Sequence, residues 1–156
     1  MLTTIAVGTD GSSTADGAVD AAIDLAAAAG ARLLILTSYQ DGSDREALEA
    51  HRNAPDEVQW QAFPSGAAEV TMNAAAERAR ARGVTAETAS APGDPAAVLC
   101  WLAAKHNADI LVVGDRGMHR RLLGSVPNSV AHQAPCSVLI VKTTERKRGR
   151  VAALVS

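Results

Sequence analysis

The chain has 156 residues, of which 47% are hydrophobic and 21% are charged, and its net charge is −2. This balance is typical of one globular domain with a sizeable core, and it gives no electrostatic basis for nucleic-acid binding. No apolar run is long enough to cross a bilayer, and the first residues lack the basic region and cleavage site of a signal peptide. Cys100 and Cys136 do not form a CxxC pair, so we interpret them as buried thiols of a cytoplasmic protein, neither metal ligands nor a disulfide.

The first part of the chain predicts a strand–helix–strand unit. Residues 3–7 (TTIAV) form a short apolar run that ends in the turn residues 8–11 (GTDG). Ser13 begins a pattern similar to a capping box, which predicts the start of a helix that ends at Gly30. Residues 31–39 (ARLLILTSY) form a second apolar run. Strands this apolar are expected to be buried on both faces of a parallel sheet, joined by a right-handed crossover.

The middle of the chain is less regular. Residues 40–64 are polar, contain glycine and proline and show no sustained period, so we expect a mobile or partly helical excursion. The next helix is predicted to extend from Gly66 to Arg82, with a helical spacing that includes Val70, Ala74, Ala75 and Arg78. Residues 84–91 (VTAETASA) are only weakly apolar, which indicates a strand at the edge of the sheet.

The last third of the chain contains two more helices and two more strands. Asp94 followed by Pro95 is typical of a helix start, and the buried stripe of this helix is predicted to be Val98, Leu99, Leu102 and Ala103. Residues 109–114 (DILVVG) predict a central strand. Ser125 is predicted to cap a helix whose apolar positions are Val126, Val130 and Ala131. Residues 136–141 (CSVLIV) predict the last strand, and a charged tail follows.

The alternation of five strands with helices predicts one doubly wound α/β domain, with a parallel sheet and helices on both faces. Ligands of such sheets bind beyond the carboxyl ends of the strands, where the strand order reverses. Strands one and four each end in a glycine-bearing turn, so we expect Asp10 to face residues 112–126 (VVGDRGMHRRLLGSV) across a crevice. Glycines, arginines and a helix start suit a phosphate, and a carboxylate suits a ribose hydroxyl. The alternatives are an ordinary loop with a basic face, and an Asp10 that only caps its own helix.

Three segments resemble the universal stress protein family, which belongs to the adenine-nucleotide α hydrolase-like folds. They are IAVGTDGS (5–12), DILVVG (109–114) and GSVPNSVAHQAPCSVLIVK (124–142), and the GSVP sequence is similar to that of actinobacterial members. The resemblance implies a universal stress protein domain over residues 1–144, with a charged C-terminal tail at 145–156. It also implies the strand order 3-2-1-4-5. In the nucleotide-binding branch it implies ATP or another adenine nucleotide, such as AMP or cyclic AMP, with or without Mg²⁺.

The family's binding motif is Gly-x2-Gly-x9-Gly-Ser/Thr, and its conserved positions match Gly114, Gly117, Gly124 and Ser125. Only six residues separate Gly117 from Gly124, so the loop is three residues shorter than the motif. The shorter loop either weakens triphosphate binding and favours a smaller nucleotide, or is compensated by charge-assisted contacts from its arginines. The nucleotide contacts predicted from the resemblance and from the two turns are Thr9, Asp10, Gly11, Ser38, Tyr39, Gly114, Arg116, Gly117, His119, Arg120, Gly124, Ser125 and Val126.

No catalytic or metal site is predicted. The chain has no Walker lysine, its four histidines lack metal-ligand spacing, and Ser125 is not in a GxSxG setting. We therefore expect a homodimeric stress-response or signalling module that binds an adenine nucleotide, with no enzymatic activity. A dimeric interaction module without a nucleotide and a slow ATP-hydrolysing enzyme are the alternatives. The apolar edge strand 136–141 is expected to pair with its twin in a second subunit, unless residues 151–154 cover it. The sequence identifies no protein partner.

Overall fold

The structure is a computed structural model, and it describes residues 1–40, 65–115 and 124–143. The described strands are β1 (Thr4–Gly8), β2 (Arg32–Tyr39), β3 (Ala86–Pro92), β4 (Ile110–Gly114) and β5 (Ser137–Val141). The described helices are α1 (Ser13–Ala29), α2 (Ser65–Ala81), α3 (Pro95–Lys105) and α4 (Ser125–Gln133). The expectations for residues 41–64, for the loop 116–123 and for the tail from residue 144 onwards lie outside the described residues.

The strands form one parallel sheet in the order β3-β2-β1-β4-β5. This confirms the predicted doubly wound fold, its strand order and the edge position of the weakly apolar β3. β1 and β2 are almost completely buried, as their continuous apolar runs predict. Each strand boundary differs from its predicted position by no more than two residues.

Two hydrophobic layers enclose the sheet, because successive side chains of a strand point to opposite faces. On one face, Ile5 and Val7 of β1 pack with α1 and α2. On the other face, Ala6 of β1 and Leu36 of β2 pack with α3 and with Val130 of α4. Small side chains from the helices fill both layers, which allows the helices to pack closely on the sheet despite the aromatic content of only 3%.

The helix caps differ from two of the sequence predictions. The N-cap of α1 is Ser12, whose hydroxyl accepts a hydrogen bond from Ala15 N at 3.2 Å, so the assignment of Ser13 was wrong. The N-cap of α4 is Gly124, and Ser125 is the first helical residue, so the assignment of Ser125 was also wrong. The cap of α3 was predicted correctly, since Asp94 accepts from Ala97 N at 3.0 Å.

The buried positions of α2 and α4 coincide only in part with the helical spacing read from the sequence. All four predicted stripe residues of α3 are buried. In α2, however, Val70 is 71% exposed and Ala74 is exposed, and the buried positions are Ala68, Met72, Ala75, Ala76 and Ala79. Ala131 of α4 is exposed as well. Alanine is apolar enough to fit either face of a helix, so only packing against the sheet decides which alanines are buried.

β5 lies at the edge of the sheet next to β4. Val138 and Ile140 pack against the layer of α3 and α4, whereas Val141 packs against the opposite layer. Leu139, with 41% of its surface exposed, is the prominent apolar side chain that β5 presents to solvent. Within the described ranges, no helix has both the length and the apolar character needed to cross a bilayer.

The two cysteines are free thiols, as expected, but only Cys100 is buried; Cys136 is half-buried, so that part of the prediction was wrong. Burial raises the pKa of the Cys100 thiol, and the neighbouring Cys136 raises it further. Burial is also the main reason why the pKa of Cys136 is raised. Both side chains therefore favour the protonated, poorly nucleophilic form.

Candidate functional site

The strand order reverses between β1 and β4, because the chain winds from β1 through β2 to β3 and then returns to the other side of β1. β1 and β4 are paired in parallel, with Val7 opposite Val112. The carboxyl ends of both strands therefore lie at the same edge of the sheet, which is the edge that carries the candidate site. The residues that follow them form the crevice in which doubly wound sheets bind ligands.

The turn after β1 begins with two polar residues, Thr9 and Asp10, that are almost completely buried. Thr9 donates its N–H to Leu36 O at 3.0 Å, and its carbonyl accepts a hydrogen bond from Thr37 Oγ1 at 2.6 Å. Asp10 has no exposed surface, and its Oδ1 accepts from both the N–H and the hydroxyl of Ser12, at 3.0 and 2.7 Å. Asp10 thus supports the start of α1, as its alternative interpretation predicted, and it also places a buried carboxylate at the crevice.

Gly11 follows with a positive φ of 78°. A Cβ at this position would lie 2.7 Å from Thr71 Oγ1, because α2 packs directly over the turn. Glycine is therefore required at position 11 both by the backbone conformation and by the close approach of α2.

The end of β2 provides the next wall of the crevice. Ser38 is fully buried, and its hydroxyl has no hydrogen-bond partner among the described residues. Tyr39 is half-buried, and its carbonyl accepts a hydrogen bond from Gly93 N at 3.2 Å. The predicted adenine-side residues Ser38 and Tyr39 therefore lie at the same edge of the sheet as Asp10, on the strand next to β1.

The end of β4 contains a residue that the sequence prediction missed. Gly114 ends the strand, and Asp115 follows it with no exposed surface. Asp115 donates its N–H to Val141 O at 3.0 Å, and its Oδ1 accepts from Thr143 N at 2.9 Å and from Thr143 Oγ1 at 2.8 Å. Its other oxygen, Oδ2, is buried without a partner among the described residues. The signal was available, since Asp115, like Asp10, lies in a glycine-bearing turn after an apolar strand.

The start of α4 lies at the same edge. Gly124 has an extended backbone with a ψ of 163° and no side chain with which to cap the helix. Ser125 is exposed, and Val126 is half-buried against the layer of α3 and α4. The first-turn N–H groups of an uncapped helix are suited to an anion.

Four predicted contacts, Arg116, Gly117, His119 and Arg120, lie outside the described residues, so their roles remain predictions. The other nine lie in the turn after β1, at the ends of β2 and β4, or at the start of α4. Within the described part of the chain, no group of three or more His, Cys, Asp or Glu side chains is placed to hold a metal ion.

A model of the universal stress protein family matches residues 1–142. The chain belongs to the universal stress protein family. The universal stress protein Rv1636 of Mycobacterium tuberculosis is 37% identical over 148 residues, which cover 90% of this chain and 97% of the relative. A universal stress protein crystallised in complex with cyclic AMP is 35% identical, with a TM-score of 0.70 and coverage of 92% of this chain and 98% of that one.

A more distant universal stress protein, from Archaeoglobus fulgidus and in complex with dAMP, has the same fold. Its TM-score is 0.65 at 22% identity, with coverage of 91% of this chain and 100% of that one. These similarities agree with the strand order and confirm the family resemblance of the sequence.

Proposed function

We propose that this universal stress protein binds an adenine nucleotide in the crevice between β1 and β4, and that it acts as a homodimeric stress-response or signalling module. The observation that carries the proposal is the fully buried carboxylate of Asp10 at the carboxyl end of β1, on the same edge as the uncapped start of α4. The 35%-identical relative in complex with cyclic AMP supports an adenine nucleotide as the ligand.

Each part of the nucleotide has a matching group in this arrangement. The N–H groups at Gly124, Ser125 and Val126 suit a phosphate, because an N-terminal helix turn combines free donors with the positive end of the helix dipole. Asp10 suits a hydroxyl of the ribose, since a buried carboxylate accepts hydrogen bonds strongly. The end of β2 at Ser38 and Tyr39 would then lie beside the base.

A nucleotide with one phosphate is expected to bind through that phosphate and its adenosine. The one phosphate of AMP or cyclic AMP requires only the start of α4, whereas ATP needs additional contacts for its outer phosphates. The short connection between Gly117 and Gly124 favours the smaller ligands. We therefore expect AMP or cyclic AMP to bind at least as tightly as metal-free ATP.

The homodimer is proposed to form through β5. This strand leaves one row of backbone N–H and C=O groups at the sheet edge, and it exposes Leu139. Pairing of two copies of β5 would satisfy those groups and bury the two Leu139 side chains together.

Calorimetric titration of the full chain with AMP, cyclic AMP and ATP tests the nucleotide site. Asp10→Asn is the informative variant, because an amide oxygen can still accept from Ser12 while the charge is lost. Its affinity is expected to fall about tenfold or more, which is the loss of one charge-assisted hydrogen bond of about 1.5–3 kcal/mol.

Asp109→Asn is the matched control, because Asp109 lies at the amino ends of the strands, opposite the proposed site. There it accepts hydrogen bonds from Thr3 N and Thr4 N. Its nucleotide affinity is expected to equal that of the wild type. If no nucleotide produced heat or a thermal shift with the folded wild-type protein, the proposal would be refuted and the nucleotide-free interaction module would be favoured.

A further inference from the structure

Asp115 combines complete burial with one oxygen that the fold does not use. Its Oδ1 holds the residue after β5 through two hydrogen bonds from Thr143. Its Oδ2 is equally buried but accepts no hydrogen bond from any described residue, and no described lysine or arginine pairs with it. Oδ1 is therefore sufficient for the structural role, and Oδ2 remains available to a ligand.

Leaving a buried carboxylate oxygen without a partner is unfavourable. A buried polar group that lacks a hydrogen bond destabilises the folded state, and it does so more strongly when the group is charged. Position 115 lies at the binding edge of the sheet, directly after Gly114. Because Asp115 directly follows β4 at the end of the sheet where doubly wound folds bind ligands, its unsatisfied oxygen indicates a group that is satisfied when the ligand binds.

The charge of the site decides which ligand group fits. Asp10 and Asp115 follow neighbouring strands, and both carboxylates are fully buried. A nucleotide phosphate at the start of α4 would bring further negative charge to the same edge. Carboxylate and phosphate oxygens repel each other directly, but both are ligands for Mg²⁺, which proteins bind through one or two carboxylates together with the phosphates and waters.

We propose that Asp115 Oδ2 is a protein ligand for a divalent cation that enters the crevice with a nucleoside triphosphate. The inference rests on the proposed nucleotide site, and it adds that the divalent cation decides how tightly each nucleotide binds there. A triphosphate binds well only as its magnesium complex, because the cation separates its negative charge from that of Asp115. AMP brings less charge and binds without the metal.

Titrations of ATP and AMP in Mg²⁺ or in EDTA test this rule, with the wild type, Asp115→Asn and the control Asp109→Asn. Asparagine retains an oxygen that accepts from Thr143 but removes the charge. Asp109 is a suitable control because it precedes β4 while Asp115 follows it. The wild type and the control are expected to bind ATP about tenfold or more tightly in Mg²⁺ than in EDTA. Changes at metal sites usually alter affinity by about 10- to 100-fold.

In Asp115→Asn the effect of Mg²⁺ on ATP affinity is expected to fall several-fold below that of the wild type, mainly because ATP binds better in EDTA. AMP affinity is expected to remain within about twofold of the wild type, since AMP does not contact this position. Thermal unfolding of both variants establishes that they are folded.

Binding of Mn²⁺·ATP, followed by the paramagnetic broadening of nuclear resonances near Asp115 in the wild type, provides a second measurement that needs no variant. The inference is overturned if Mg²⁺ enhances ATP binding equally in wild type and Asp115→Asn, or if no broadening occurs around residue 115. Equal weakening of AMP and ATP in Asp115→Asn would instead identify Oδ2 as an acceptor for the nucleoside. If AMP and ATP both fail to bind the wild type, the proposed nucleotide site itself is refuted.

Discussion

The turn at Gly11 offers a quantitative test of how α2 holds the crevice in place. In Gly11→Ala, a side chain is introduced at a φ of 78°, and its Cβ meets Thr71 Oγ1 at 2.7 Å and Cγ2 at 3.2 Å. The left-handed backbone conformation costs a non-glycine residue about 1–2 kcal/mol. Overpacking against Thr71 adds about 1–3 kcal/mol, so the expected loss of stability is about 2–5 kcal/mol in total.

Two further variants separate these contributions. Gly30 also has a positive φ, of 64°, but a Cβ there would have nothing within 4 Å, so Gly30→Ala measures the backbone cost alone. In the double variant Gly11→Ala/Thr71→Ala, the two close atoms of Thr71 are removed and only its Cβ remains, 3.6 Å away. Compared with the Thr71→Ala background, the loss at Gly11 is then expected to fall to about the loss that Gly30→Ala produces, 1–2 kcal/mol.

Urea unfolding of the wild type and the four variants gives the required free energies, and 1 kcal/mol corresponds to about 2–4 °C in Tm for a chain of this size. The reasoning is refuted if Gly11→Ala is no more destabilising than Gly30→Ala. It is also refuted if removal of the Thr71 side chain leaves the loss at Gly11 unchanged, because the contact with α2 would then contribute nothing.

Three other predictions concern the amino edge, the helix surface and β5. Hydrogen bonds from the backbone of Thr4, and then of Thr3, lower the pKa of Asp109. Asp109→Asn should therefore be less stable than wild type above about pH 4, and this difference in stability should shrink as acid protonates the folded carboxylate. Urea unfolding from about pH 2 to 7 measures the difference, and a difference that does not change with pH would contradict the prediction. Arg82→Ala loses the exposed ion pair with Asp24 and should destabilise by no more than about 1 kcal/mol, less in high salt. Leu139→Lys should shift a homodimer toward monomers in sedimentation velocity, and an unchanged dimer would exclude pairing through β5.

Much of this fold follows from local properties of the sequence. Continuous apolar runs are sufficient to identify β1, β2 and β4, because a strand covered on both faces needs no polar positions. Asp94-Pro95 locates the start of α3 because that cap is formed within four residues. Asp10 was found because it lies in a glycine-bearing turn after an apolar strand, the position that the family resemblance also assigns to a nucleotide contact. The strand order, by contrast, came from the family resemblance, since periodicity does not specify which strands are neighbours.

Only the tertiary structure decided the features that depend on contacts between distant residues. The cap of α1 is a local feature that also needed the structure, because the serines at 12 and 13 are equally good caps by type; Ser12, which donates its N–H and hydroxyl to Asp10 Oδ1, is the one that caps the helix. The buried face of α2 is set by the sheet beneath it, because alanine is compatible with either face. The importance of Asp115 depends on Thr143, which lies 28 residues away in the chain. The sequence therefore determines the elements and the end of the sheet at which we propose a ligand site, whereas packing determines which polar atoms the fold already satisfies.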